Sequence, residues 1–153
     1  MNTWRKSMLV CAAVTALLGT QRTAGAIEPT DNAYPWSNLP YHGNLTTFVC
    51  ASTQCGWGGI EAISPSGDND YFMMVCGAGT VITQVWISFT GSQGDLDMQV
   101  WKPNGTFYGG SYGTGDQEIV NTSALNRSDV VMNVYGWAGA TNSYTVLINC
   151  SST

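Results

Sequence analysis

Residues 89–106, FTGSQGDLDMQVWKPNGT, constrain the fold more than any other stretch of the chain. Polar and apolar residues alternate strictly from Asp95 to Val100, and Trp101 follows in an outward position. A period of two places Leu96, Met98 and Val100 on one side of an extended chain, and Asp95, Asp97, Gln99 and Trp101 on the other. A helix would scatter both sets around its circumference. The run ends at Pro103-Asn104-Gly105-Thr106, a hairpin-turn signal in which Asn-Gly would supply the positive φ angles. The chain is therefore expected to be built from half-buried strands whose outward positions carry carboxylates, amides and a tryptophan.

The remaining chain follows the same rhythm, with Gly, Asn, Ser and Thr breaking it roughly every 8–12 residues and almost no helical pattern after the N-terminus. Residues 46–50 predict a weak strand, 55–59 a loop and 71–75 a buried strand. Residues 81–89 alternate, placing Val81, Val85, Ile87 and Phe89 on one side and Ile82, Gln84, Trp86 and Ser88 on the other. Residues 106–108 return from the hairpin, 109–115 read as a glycine-rich loop and 118–120 as a short edge strand. Val130, Met132 and Val134 mark another inward face, and 144–148 close the sheet. The expected fold is all-β: about eight antiparallel strands in a two-sheet, jelly-roll-like β-sandwich.

The first residues do not belong to that fold. Arg5 and Lys6 precede an apolar run at 7–19, and Ala24-Gly25-Ala26 is a small-x-small cleavage pattern, so 1–26 reads as a secretory signal peptide. Cys11 lies in the middle of the apolar run, where lipidation would cut that run short. Residues 27–45 are expected to form a polar N-terminal arm and 46–153 a single domain. Signal removal leaves 127 residues, in which Lys102 and Arg127 face ten carboxylates, a net charge of about −8. Such a chain repels nucleic acid and anionic lipid.

Four cysteines remain after Ala26, and four allow three pairings. Cys50 and Cys55 can meet across a short loop. That leaves Cys76 with Cys150, a bridge from the first core strand to the last. Zinc is the rival use of these thiols, but Cys-x4-Cys is a loose half-site.

Three blocks of the sequence resemble the pre-peptidase C-terminal domains of bacterial exoenzymes. They are Gly67-Asp68-Asn69-Asp70-Tyr71-Phe72; Gly94-Asp95-Leu96-Asp97-Met98 with Pro103-Asn104-Gly105-Thr106; and Val134-Tyr135-Gly136 with Asn142-Ser143-Tyr144-Thr145-Val146. The resemblance spans roughly 68–148. It implies a β-sandwich appendage of a secreted protease, related to the collagen-binding modules of clostridial collagenases. Some such domains bind calcium, and some assist secretion or are trimmed during maturation. No protease domain precedes the blocks here, which puts a helper role within one chain in doubt.

Two constellations are candidate sites. Asp68 with Asp70, and Asp95 with Asp97, are i, i+2 pairs that could converge on one calcium ion, or simply cap turns. Trp86 with Gln84, Trp101 with Gln99, and Tyr135 with Asn133 sit at outward positions of three strands. On one sheet they would form an aromatic platform edged by amides, suited to stacking on sugars or on proline-rich backbone. Outward aromatics on comparable strands contact collagen in the collagen-binding relatives, so the resemblance implies the same use. The competing expectation is that the arm, with Trp36 and Tyr41, covers these rings. Tyr108, Tyr112 and Trp137 would rim the platform or stabilise their own loops.

Catalytic patterns are weak. Gly109-Gly110-Ser111-Tyr112-Gly113 matches a nucleophile elbow but lacks a following helix, and the lone His42 precedes the serine. The aspartate pairs could serve as a glycosidase acid and base only in a cleft, and the sequence marks none. Five Asn-x-Ser/Thr triplets occur, at Asn44, Asn104, Asn121, Asn126 and Asn149, in a chain rich enough in these residues to produce them by chance. The expectation is a non-catalytic module, exported to the cell exterior or periplasm, that binds an extracellular protein or polysaccharide polymer. The alternative is a trans-acting partner of an exported protease, aiding its secretion or maturation.

Overall fold

Burial alternates with a period of two along 69–76, 117–121 and 144–150, whereas 96–98 and 130–134 are buried on both sides. The computed structural model describes residues 30–31, 45–58, 63 and 68–153. The expected signal peptide, and with it Trp36, Tyr41 and His42, lie outside those residues. Ten strands are described: β1 (Thr30–Asp31), β2 (Thr46–Cys50), β3 (Gln54–Trp57), β4 (Asn69–Cys76), β5 (Thr80–Phe89), β6 (Leu96–Trp101), β7 (Phe107–Ser111), β8 (Gln117–Asn121), β9 (Asp129–Gly136) and β10 (Tyr144–Ser152). They form a six-stranded sheet, in which β1 and β2 share one edge of β4 and the order continues β4-β9-β6-β7, and a four-stranded sheet of order β3-β10-β5-β8. All pairings are antiparallel except β2 with β4. The molecule is the expected all-β two-sheet sandwich.

The inner faces supply one core. Phe72, Met74, Met98, Val100, Met132 and Val134 from the larger sheet meet Ile82, Val85, Ile87, Val146 and Ile148 from the smaller. Removing these branched and unbranched apolar side chains from water is the main stabilising term. Phe48 packs between Trp57 and Phe72, with ring centroids 5.0 and 5.5 Å away.

Both expected disulfides are present. Cys76–Cys150 joins β4 to β10 with Cα atoms 5.8 Å apart, and Cys50–Cys55 joins β2 to β3 at 5.6 Å. The second is more than a loop staple, because β2 and β3 belong to different sheets. Cys50 also lies beside Cys76 in the β2–β4 register. Both bridges therefore clamp the two sheets at the same end of the sandwich. Such bonds persist in oxidising compartments.

Local geometry departs from the sequence pattern in four places. The β5–β10 register slips between Asn149 and Cys150, so that Gln84 pairs with Asn149 but Ile82 with Cys150. This bulge reverses the phase of β5: Ile82 is fully buried and Val81 turns outward, opposite to the simple alternation. The bulged segment is held by neighbouring loops, with Thr122 N–H donating to the Thr83 carbonyl at 2.9 Å and Ile82 N–H to the Arg127 carbonyl at 2.7 Å. In the β6–β7 turn only Gly105 has a positive φ, 84°, while the Asn104 side chain accepts from Thr106 N–H at 3.1 Å. Residues 54–57 form a strand where a loop is expected. Finally, β7 runs through Gly109 and Gly110 where a loop is expected, and the Tyr112 ring occupies the space a Cβ at Gly110 would need.

Candidate functional site

The three rings of the expected platform do not share a surface. Trp101 lies on β6 and Tyr135 on β9, both in the six-stranded sheet, whereas Trp86 lies on β5 in the four-stranded sheet. Outward positions of two sheets packed face to face point in opposite directions. Gln99 and Asn133 stay with the first pair of rings, and Gln84 goes with Trp86. The period-two signal fixes which residues point out of a sheet but says nothing about which sheet they belong to.

The outer face of the six-stranded sheet buries polar groups around Asn133 and Asp97, while Phe107 at its β7 edge is 46% exposed. Register aligns Asn133 with Gln99, and Tyr135 with Asp97. Asn133 is only 3% exposed and donates to the Asp70 backbone carbonyl at 3.5 Å, so it is a buried structural amide. Val131 is buried beside Trp101, whose ring meets Phe107 edge-on at 4.9 Å. Asp97 is 2% exposed. Burial holds its carboxyl above the usual range, opposed by a hydrogen bond from Tyr135 and reinforced by the charges of Asp95 and Glu118. Tyr135 is pushed up to about 12, first by burial and then by the charge of Asp97. Tyr112 and Trp137 are well exposed at this end of the molecule.

The carboxylates do not converge as the sequence suggests. Asp70 faces the core, in line with Phe72 and Met74, and accepts a hydrogen bond from the Tyr144 hydroxyl across the sandwich. Asp97 lies on the outer face instead. Among the described residues no three His, Cys, Asp or Glu side chains gather into a group that could hold a metal ion. Glu118, unnoticed in the sequence, is fully buried on β8; its Oε1 accepts from Gly113 N–H at 2.9 Å. Its position on the inward side of the Glu118–Val120 alternation is the signal that could have revealed it. Ser111 is the last residue of a strand, and its Oγ accepts from Ile119 N–H at 3.2 Å across to β8. That is a sheet-edge clasp, not a nucleophile elbow. Tyr108, expected at the platform rim, donates its hydroxyl to the Asn121 carbonyl at 3.1 Å.

The opposite face is regular, with its central residues partly exposed. Cross-strand register builds three rows on the outside of the four-stranded sheet. Ile119, Trp86, Leu147 and Gly56 form a central apolar row. Asn121, Gln84, Asn149 and Gln54 form an unbroken row of amides along one side of it. Gln117, Ser88 and Thr145 form a polar row along the other side. Asn149 Nδ2 donates to Gln84 Oε1 at 3.1 Å, aligning the two central amides. Ile119 is 45% exposed, and no ionisable side chain occupies these rows. Ser88 and Thr145 continue into a cleft of about 460 Å³ at the sheet end, lined also by Thr90, Gln93 and Asn142. Asn142 spans that end, donating to the Thr90 and Gly94 carbonyls at 2.8 Å each. Sequence reading found Trp86 and Gln84 but missed Asn149, Asn121 and Gln54, because a row assembled from four strands has no linear signature.

No family model and no curated protein matches the chain. Among solved structures, it is similar to the pre-peptidase C-terminal domain of a collagenase from Bacillus anthracis, with a TM-score of 0.48, 9% identity and coverage of 69% of this chain and 93% of that one. It is also similar to a periplasmic inhibitor of g-type lysozyme from Aeromonas hydrophila, with a TM-score of 0.45, 15% identity and coverage of 69% and 96%.

Proposed function

We propose that the protein is a secreted, non-catalytic module that binds an extracellular polymer through the outer face of its four-stranded sheet. The observation that carries this reading is the apolar row of Ile119, Trp86 and Leu147 flanked by a continuous amide row. A partly exposed indole with aliphatic neighbours offers contact area, and adjacent amides supply direction by both donating and accepting. A repeated pattern laid across several strands suits a repeating ligand better than a compact metabolite, which would be enclosed in a cavity. The two sheet-clamping disulfides support export. The employment of Ser111 in a strand clasp, and of Asp70 in a cross-sheet bond, supports a binding rather than a catalytic role.

The test is retention of the mature protein on insoluble polymers, with gelatin, collagen and uncharged polysaccharides compared side by side. Trp86→Ala is expected to remove retention while the protein stays folded. Retention unchanged in that folded variant would remove this face from the function. Co-purification with an exported peptidase, without retention on any polymer, would favour the protease-partner reading instead.

A further inference from the structure

We propose that the polymer is an uncharged, extended polysaccharide lying across the strands of the four-stranded sheet, over the apolar row and along Asn121, Gln84, Asn149 and Gln54. This rests on the reading of that face as the binding surface and names what occupies it.

Three observations select the chemistry. The first is repeat length. The amides recur once per strand, at the roughly 4.8 Å interstrand spacing. An extended β-1,4-linked hexose chain advances by close to that distance per sugar, with successive sugars turned by about 180°, so one sugar falls on each strand and every second sugar presents the same edge to the row. An extended peptide presents like-facing side chains only every second residue, roughly 6.6–6.8 Å apart, and falls out of step within two strands.

The second is charge. All three rows are built from Gln, Asn, Ser, Thr, Gly, Trp, Leu and Ile, although the mature chain carries ten carboxylates against two cations. A polyanionic glycan would be repelled by the molecule as a whole, and a polycation would find no counter-charge on this face. Hydroxyl groups are both donors and acceptors, and side-chain amides answer both. The Asn149–Gln84 bond uses one Nδ2 donor and one Oε1 acceptor, leaving Gln84 Nε2 and Asn149 Oδ1 directed by that bond.

The third is shape. Gly56, exposed and without a side chain, ends the apolar row next to Leu147. Glycine thus keeps that end of the floor low, and the chain can leave the sheet over β3. Sugar rings present flat C–H faces, which stack on an indole such as Trp86.

The experiment is titration of the mature protein with soluble β-1,4-linked glucose and N-acetylglucosamine oligomers of increasing length, with gelatin and polygalacturonate as comparison ligands. Affinity for the neutral oligomers is expected to rise with length and level off at about four units, one for each of the four strands. It should change little with salt. Gln84→Ala and Asn149→Ala should each weaken it about tenfold, the loss of one net hydrogen bond. Thermal unfolding of each variant separates lost binding from lost structure. If Trp86-dependent binding is seen with gelatin and with no neutral oligomer, the occupant is a peptide: the inference fails and the proposed function stands. If no ligand binds through Trp86, both fail. Affinity that keeps rising well beyond about four units would overturn the cross-strand orientation.

Discussion

The two outer faces of the sandwich are made from similar residues and behave differently. Each carries a tryptophan and amides at outward positions. On the six-stranded sheet those groups turn on one another: Asn133 bonds the Asp70 carbonyl, Tyr135 bonds Asp97, and Trp101 packs on Phe107 beside buried Val131. On the four-stranded sheet they stand in rows, where Asn149 donates to Gln84 and Asn121 Oδ1 accepts from Ser123 N–H at 3.0 Å, and the other amide groups make no side-chain bond among the described residues. Polar groups whose hydrogen bonds are spent internally rigidify a structure, whereas those left to solvent remain available to a ligand. An outward aromatic is thus evidence of a binding surface only when the polar groups around it are left free of internal bonds.

The sharpest way to break this contrast is a pair of substitutions. Trp101→Ala should cost about 3 kcal/mol of unfolding free energy, because it uncovers Val131 and empties the space against Phe107. Trp86→Ala should cost only about 1 kcal/mol in the same denaturant titration. Equal costs would show that the two faces are packed alike. A smaller effect is expected between the sheets. Tyr144→Phe removes the hydroxyl that meets the Asp70 carboxylate and should destabilise by about 1–3 kcal/mol. An unchanged melting temperature would mean that this contact contributes nothing to holding the sheets together.

The remaining tests use pH. A carboxyl whose folded pKa lies above 3.8 binds more protons folded than unfolded in the window between the two values. Stability therefore falls as pH rises through that window, and the penalty of the charged Asp97 is complete above it. Asp97→Asn should raise the melting temperature at pH 7 by a few degrees at most and have no stabilising effect below about pH 3.8. Tyr135, with a folded pKa of about 12 against 10.0 unfolded, works the same way at the alkaline end. Stability should drop as pH climbs from 10 to 12, and Tyr135→Phe should flatten that limb. The corresponding probe of the four-stranded sheet's outer face, Gln84→Ala, should leave the pH–stability curve unchanged, since no titrating group lies in its row.

Much of this molecule was legible in its sequence because the information was local. Leu96, Met98 and Val100 face inward as their alternation requires, and both cysteine pairs follow from where strands end. Local pattern failed where a single residue changes the count. The bulge in β5 carried Ile82 inward and Val81 out, and only pairing with β10 reveals it. The carboxylates show the same limit: Asp68 and Asp70 are spaced like a ligand pair, yet tertiary packing turned Asp70 toward Tyr144.

The sequence by itself determined a disulfide-clamped all-β sandwich, because period-two burial and cysteine placement are properties of short segments. Only the tertiary structure decided the surfaces. It separated Trp86 from Trp101 and Tyr135, buried Asn133 and Asp97 on one face, and drew Asn121, Gln84, Asn149 and Gln54 from four strands into one row. The physical reason is that a face of a sheet is assembled across strands by hydrogen-bond register, and register is fixed by partners distant in the chain.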